Sequence, residues 1–133
     1  MKKNNIRLHH IGVVIPDEET LDDLKGKLDI EEDFRGYVNE YKALCIFMKE
    51  PENCVLEFII PDGGKLSEFN NGRGGIHHMA FEVKNLEEFK KNLDSKGVNF
   101  ISDYDVKGAG SFKVNFTKPR TSNYILFEFL EKF

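Results

Sequence analysis

Apolar and polar positions along the chain fall into the same order of runs twice. Residues 7–15 are almost continuously apolar after a pair of histidines, which predicts a buried strand. Pro16-Asp17 then opens a helix, with Glu18 and Glu19 near its positive N-terminal end. Leu21, Leu24 and Leu28, spaced i, i+3, i+7, predict one buried stripe on that helix. Strands follow at 33–38, 42–48 and 54–60, the last two joined as a hairpin across the turn formers Glu50-Pro51-Glu52-Asn53. The second half repeats this order from Ile76. Asn85 caps a helix, with Glu88 as the reciprocal partner, and Leu86, Phe89 and Leu93 form its stripe. Strands then read at 99–104, 112–116 and 124–130, separated by Gly108-Ala109-Gly110 and Pro119-Arg120-Thr121-Ser122.

Each copy therefore reads strand-helix-strand-strand-strand, over 6–61 and 75–131, with glycine- and asparagine-rich ends to the linker between them. A small sheet with one helix buries one face and leaves the other bare, so neither copy is expected to stand alone. Pairing them predicts an α+β fold: two βαβββ modules in one domain, 1–133, whose curved mixed sheet carries helices outside and a cleft inside.

The chemistry follows the repeat. All four histidines lie in two dipeptides, His9-His10 and His77-His78. The last strand of each copy carries one acidic residue among apolar ones, Glu57 and Glu128. Strand alternation puts His10, Gly12 and Val14 on one face and His9 and Ile11 on the other, and groups His78 with Ala80 and Glu82. Alternation does not say which face looks inward; a metal site requires His10 and His78 there. A lone histidine on a strand is an ordinary core residue, and a lone glutamate can face solvent. Four such residues that coincide across a repeat point instead to one divalent ion per site. Two imidazoles and two carboxylates suit Co, Ni, Mn or Zn.

Composition narrows the classes. At 133 residues, 40% hydrophobic and 32% charged, the chain reads as a globular protein. A formal charge of −4 argues against nucleic acid, which needs a clustered cationic face. No apolar run reaches the length of a membrane span, and residues 1–5 lack a signal-peptide core. Cys45 and Cys54 form no CxxC pair, which predicts reduced thiols and a cytoplasmic setting.

The segment Asn71-Gly72-Arg73-Gly74-Gly75-Ile76-His77-His78-Met79-Ala80-Phe81 closely resembles the stretch that holds the second histidine ligand in methylmalonyl-CoA epimerases. Asn115-Phe116, Pro119 and, nine residues later, Glu128 repeat the epimerase spacing to the final ligand. Glu57, four residues before Pro61, falls where epimerases carry a Gln or Glu ligand, and His10 falls on their first histidine. From about residue 8 to 130 the chain resembles the vicinal oxygen chelate superfamily, the glyoxalase/bleomycin-resistance/dioxygenase fold of paired βαβββ modules.

The resemblance implies a metal-dependent isomerase or epimerase that takes a proton alpha to a metal-bound carbonyl. His10, Glu57, His78 and Glu128 would be its ligands and Glu128 also its base. It implies an acyl-CoA or thiol-adduct substrate and a homodimer. Two alternatives stay open: a glyoxalase-I-type lyase, whose ligand set in some members is also two His and two Glu, and a small-molecule-binding resistance protein. An extradiol dioxygenase, with two His, one Glu and iron in a longer chain, fits less well.

The chain departs from the epimerase pattern twice. Cys45 stands where a further glutamate is expected, and Tyr124 stands where glycine is common and is expected to narrow the pocket. Gly108-Ala109-Gly110-Ser111 resembles the epimerase loop near the thioester, with an ordinary turn as the alternative. Lys118 and Arg120 are placed either on CoA phosphates or on a solvated surface, and Arg73 either in the site or in a structural linker. Phe34, Tyr37, Tyr41, Phe47 and Phe112 are assigned to a pocket or to the core.

Overall fold

The first half of the chain forms β1 (Arg7–Val14), α1 (Glu18–Leu28), β2 (Glu32–Val38), β3 (Ala43–Met48) and β4 (Val55–Pro61). The second forms β5 (Gly75–Glu82), α2 (Leu86–Asp94), β6 (Val106–Lys107), β7 (Phe112–Phe116) and β8 (Phe127–Lys132). The computed structural model describes residues 6–49 and 54–133, so the expected turn Glu50-Pro51-Glu52-Asn53 and residues 1–5 lie outside the described residues.

One eight-stranded sheet runs β2-β3-β4-β1-β5-β8-β7-β6. β1 and β4 are parallel, as are β5 and β8, while β1 and β5 join the two halves antiparallel. The repeat is therefore topological as well as sequential, and its seam lies at the sheet centre.

Alternation along the strands sorts side chains into layers. In β3, Ala43, Cys45 and Phe47 join an inner cluster with Val14, Ile59, Val114 and Leu130. Leu44, Ile46 and Met48 point the other way, with Phe58, onto Leu21 and Leu24 of α1. On the second half, Leu86, Phe89 and Leu93 of α2 meet Val83, Phe127 and Phe129. Each helix thus covers the outer face of its own half.

The helix starts follow the capping residues. The Asp17 carboxylate accepts from the Thr20 amide at 2.8 Å, and the Asn85 side chain accepts from the Glu88 amide at 3.0 Å. The stripe on α1 is shorter than its spacing predicts. Leu28 is 54% exposed, because Asp29 turns left-handed (φ 55°) and ends the helix, and Ile30 packs into the cluster beyond it.

Two strands begin later than their patterns suggest. Residues 99–104 are not a strand: one bridge, Phe100 to Thr117, precedes the two-residue β6. The buried Asn115 amide donates to the Ser102 and Tyr104 carbonyls and to Asp105, so a side chain supplies partners that a ladder would otherwise provide. The strand expected from 124 starts at Phe127, because Asn123 and Tyr124 both adopt left-handed backbone (φ 59° and 65°). Among the described residues, no helix is long and apolar enough to cross a membrane.

Candidate metal centre

His10, Glu57, His78 and Glu128 sit on β1, β4, β5 and β8, the four adjacent strands at the middle of the sheet. Register explains how residues so distant in sequence meet. Gly12, two residues beyond His10, pairs with Glu57, and Ala80, two beyond His78, pairs with Glu128. Across the seam Gly12 faces His78 and Ala80 faces His10. Each imidazole therefore lies opposite a small residue of the other half. The fit at Gly12 is close: a Cβ there would stand 2.2 Å from His78 Cε1.

All four side chains are buried, and one ligating atom from each lies within 4.8 Å of the others. His10 Nε2 is 2.9 Å from Glu128 Oε1 and 3.2 Å from Glu57 Oε1. His78 Nε2 is 3.1 Å and 3.4 Å from the same two oxygens, and 3.4 Å from His10 Nε2. Both carboxylate oxygens nevertheless lack an aligned hydrogen bond. Buried acceptors without donors are costly unless something else satisfies them. The spacings are short enough for one cation to be shared by all four residues, and such a cation would satisfy the two oxygens.

The charges are mutually dependent. Burial alone pushes His10 and His78 down, but the Glu128 and Glu57 carboxylates outweigh it and raise them to about 9 and about 10. Burial pushes the two carboxylates up, and the imidazoles overcome it and hold both below the usual carboxylate range. Each imidazole thus favours the charge of the carboxylates, and each carboxylate favours that of the imidazoles.

The companion histidines do not face away, as simple alternation predicts. The β1–β5 register skips His9, passing from Leu8↔Phe81 to His10↔Ala80, and skips His77, passing from Gly12↔His78 to Val13↔Ile76. Each is the extra residue of a β-bulge, and a bulge re-aims its side chain. His9 Nδ1 comes to 2.8 Å from His10 Nδ1, and His77 Nδ1 to 2.9 Å from His78 Nδ1. Burial, together with the neighbouring ring, pushes His9 and His77 down to about 4.

The cluster opens on a cavity of about 830 Å³ walled mainly by apolar groups. Glu57, Glu128, His77 and His78 line it, with Cys45 and Tyr41 among the wall residues. Burial, with the Glu57 carboxylate nearby, pushes the Cys45 thiol well above its ordinary range. Gly108 and Ala109 line the cavity, so the glycine-rich loop is part of the wall. Phe47 and Phe112 also line it, whereas Phe34 stacks on Phe47 in the adjoining smaller cavity. Tyr37 is half exposed and within hydrogen-bond reach of Asp62, away from the wall.

Lys118, Arg120 and Arg73 are exposed and do not line the cavity. Tyr124 does not narrow it: the residue is 81% exposed and does not line the wall. Lys65, Leu66 and Phe69, from the linker, form part of the wall and carry no signal in the strand and helix patterns.

Residues 9–116 match the family model of the Glyoxalase/Bleomycin resistance protein/Dioxygenase superfamily. The chain belongs to this superfamily. Its eight strands and two helices have the paired-module form expected of such a member. The mitochondrial methylmalonyl-CoA epimerase of Dictyostelium discoideum is 29% identical over 133 residues, covering 95% of this chain and 78% of that protein. The ethylmalonyl-CoA/methylmalonyl-CoA epimerase of Cereibacter sphaeroides is 27% identical, covering 92% and 95%. The crystal structure of methylmalonyl-CoA epimerase from Mycobacterium tuberculosis shares the fold with a TM-score of 0.90 at 18% identity, covering 100% of this chain and 93% of that one.

Proposed function

We propose that this superfamily member is an epimerase of the methylmalonyl-CoA epimerase type, moving a proton at the carbon alpha to the carbonyl of an acyl-CoA. The observation that carries the reading is the repeat-matched cluster His10, Glu57, His78 and Glu128 at the foot of an apolar cavity. One divalent ion held there, of the Co, Ni, Mn or Zn class, supplies a Lewis acid that favours negative charge on a substrate oxygen.

Glu128 is the proposed base. Its carboxylate belongs to the cluster and also lines the cavity, so it reaches both the ion's position and a bound substrate. The apolar wall limits water around the exchanging proton. Cys45 enters as wall rather than base, because a buried thiol held protonated does not accept a proton near neutrality. Both named relatives are epimerases, which does not favour the lyase alternative.

The reading extends to a homodimer, since β2 and β6 stand at the two ends of the sheet, and to a cytoplasmic setting, since Cys45 and Cys54 are free thiols. Light scattering that gave a monomer at micromolar concentration would remove the dimer. The reaction is tested by incubating metal-reloaded protein with methylmalonyl-CoA in heavy water, beside methylglyoxal with thiols. Deuterium uptake at the alpha carbon supports the epimerase, turnover of the thiol adduct alone would make it a lyase, and ligand binding without either would make it a binding protein.

A further inference from the structure

The two bulged histidines repeat one arrangement on both sides of the seam. Each stands immediately before a proposed ligand, each is skipped by the strand pairing, and each brings Nδ1 to within 2.9 Å of its neighbour's Nδ1. Two bare ring nitrogens at that distance would set lone pair against lone pair, so one of each pair carries a proton. His10 and His78 turn their Nε2 atoms toward the carboxylate cluster. A nitrogen that ligates an ion must be bare, which puts the ring proton of each ligand on Nδ1. That proton then points at the Nδ1 of the bulged neighbour.

We infer that His9 and His77 are positioning residues, each accepting the Nδ1–H of the ligand histidine beside it and so fixing that ring's tautomer and rotation. The neighbour that accepts on Nδ1 keeps its own proton on Nε2. Aromatic rings hold the acceptors in turn: His9 lies edge-on to Phe112 at 5.8 Å and His77 edge-on to Phe69 at 4.9 Å. The bulge is what makes this possible, because a regular strand would send the preceding side chain to the opposite face. This explains why the histidines come as dipeptides although only one of each pair reaches the carboxylates.

The inference rests on the metal reading of the four-residue cluster, and the experiment separates the two. Zinc affinity is measured by chelator competition on full-length protein for wild type and for His9→Phe, His9→Asn, His77→Phe and His77→Asn. Phenylalanine keeps a ring without an acceptor, while the asparagine Oδ1 supplies an acceptor near the place of Nδ1. The phenylalanine variants are expected to weaken zinc ~10–100-fold, and the asparagine variants to recover most of the loss. Wild type that binds no zinc would overturn the metal reading itself. Phenylalanine variants that bind within twofold of a binding wild type would overturn the positioning role, as would asparagine variants as weak as phenylalanine.

A second measurement needs no substitution. Ring-nitrogen NMR of zinc-loaded wild type is expected to show His9 and His77 neutral, protonated on Nε2 and bare on Nδ1. A proton on Nδ1 of either ring would contradict the assignment.

Discussion

Gly12→Ala adds a single methyl group at the seam, and its expected cost can be worked from the geometry. The new Cβ would stand 2.2 Å from His78 Cε1, 2.6 Å from Nδ1 and 2.7 Å from Nε2, where ordinary contact begins at 3.4 Å. The imidazole must therefore recede by roughly an ångström. It has little room to do so, because Phe116, His77 and His10 pack edge-on around it at 5.1, 5.2 and 5.5 Å. A metal–nitrogen bond tolerates only about 0.2 Å of displacement. One of four ligands is then lost or badly aimed, which we expect to weaken zinc or cobalt binding at least ~100-fold, about 2.7 kcal/mol. Overpacking should cost the metal-free protein ~1–3 kcal/mol. Chelator competition reads the affinity, and urea unfolding of metal-free protein reads the stability. Gly26→Ala on the exposed face of α1, where an added Cβ meets nothing within 4 Å, is the control and should bind metal as wild type. Gly12→Ala that bound metal within threefold of wild type would refute the claim that this glycine seats His78.

Three further outcomes follow from the same structure. Metal binding at pH 7 should release about two protons, because the carboxylates hold His10 and His78 at about 9 and about 10 in the metal-free protein and both Nε2 atoms must be bared. Affinity should accordingly rise ~100-fold per pH unit between about pH 6 and 8, and calorimetry in buffers of different ionisation enthalpy would contradict this by finding no release. Glu128→Gln should slow alpha-proton exchange ~100-fold or more, and full exchange in a metal-loaded variant would remove Glu128 as the base. Tyr124→Gly should raise stability by ~1 kcal/mol, since the tyrosine holds a left-handed backbone and is largely exposed; an unchanged or lower melting temperature would contradict that.

Much of the fold was legible because helices and strands announce themselves by period. The i, i+3, i+7 apolar stripes, with Pro16-Asp17 opening one helix and Asn85 capping the other, locate both helices, and the repeat of histidine and glutamate pairs residues 68 to 71 positions apart in the chain. What stayed hidden depends on tertiary partners. The 99–104 stretch looks like a strand locally, but the Asn115 side chain takes up its backbone groups. Tyr124 reads as the start of a strand, and only the backbone angles show a turn, although glycine at this position in epimerases was a usable sign. Alternation puts His9 on the face opposite His10 and misleads there, because a bulge adds one residue to a strict period of two. The doubled His-His dipeptide was the available signal: nothing in strand alternation calls for the same polar residue twice running. Lys65, Leu66 and Phe69 reach the cavity only because the linker folds over it.

On the proposed reading, this chain exchanges an alpha proton with the help of a metal held by His10, Glu57, His78 and Glu128. The most direct measurement is deuterium uptake into methylmalonyl-CoA in heavy water by the chelated and then the cobalt-reloaded protein. Uptake at the alpha carbon that vanishes on chelation, returns on reloading and is absent in His10→Ala, His78→Ala protein is the predicted result. Cobalt bound stoichiometrically with no uptake would contradict the reaction, and undiminished uptake or metal binding in the double variant would contradict the site.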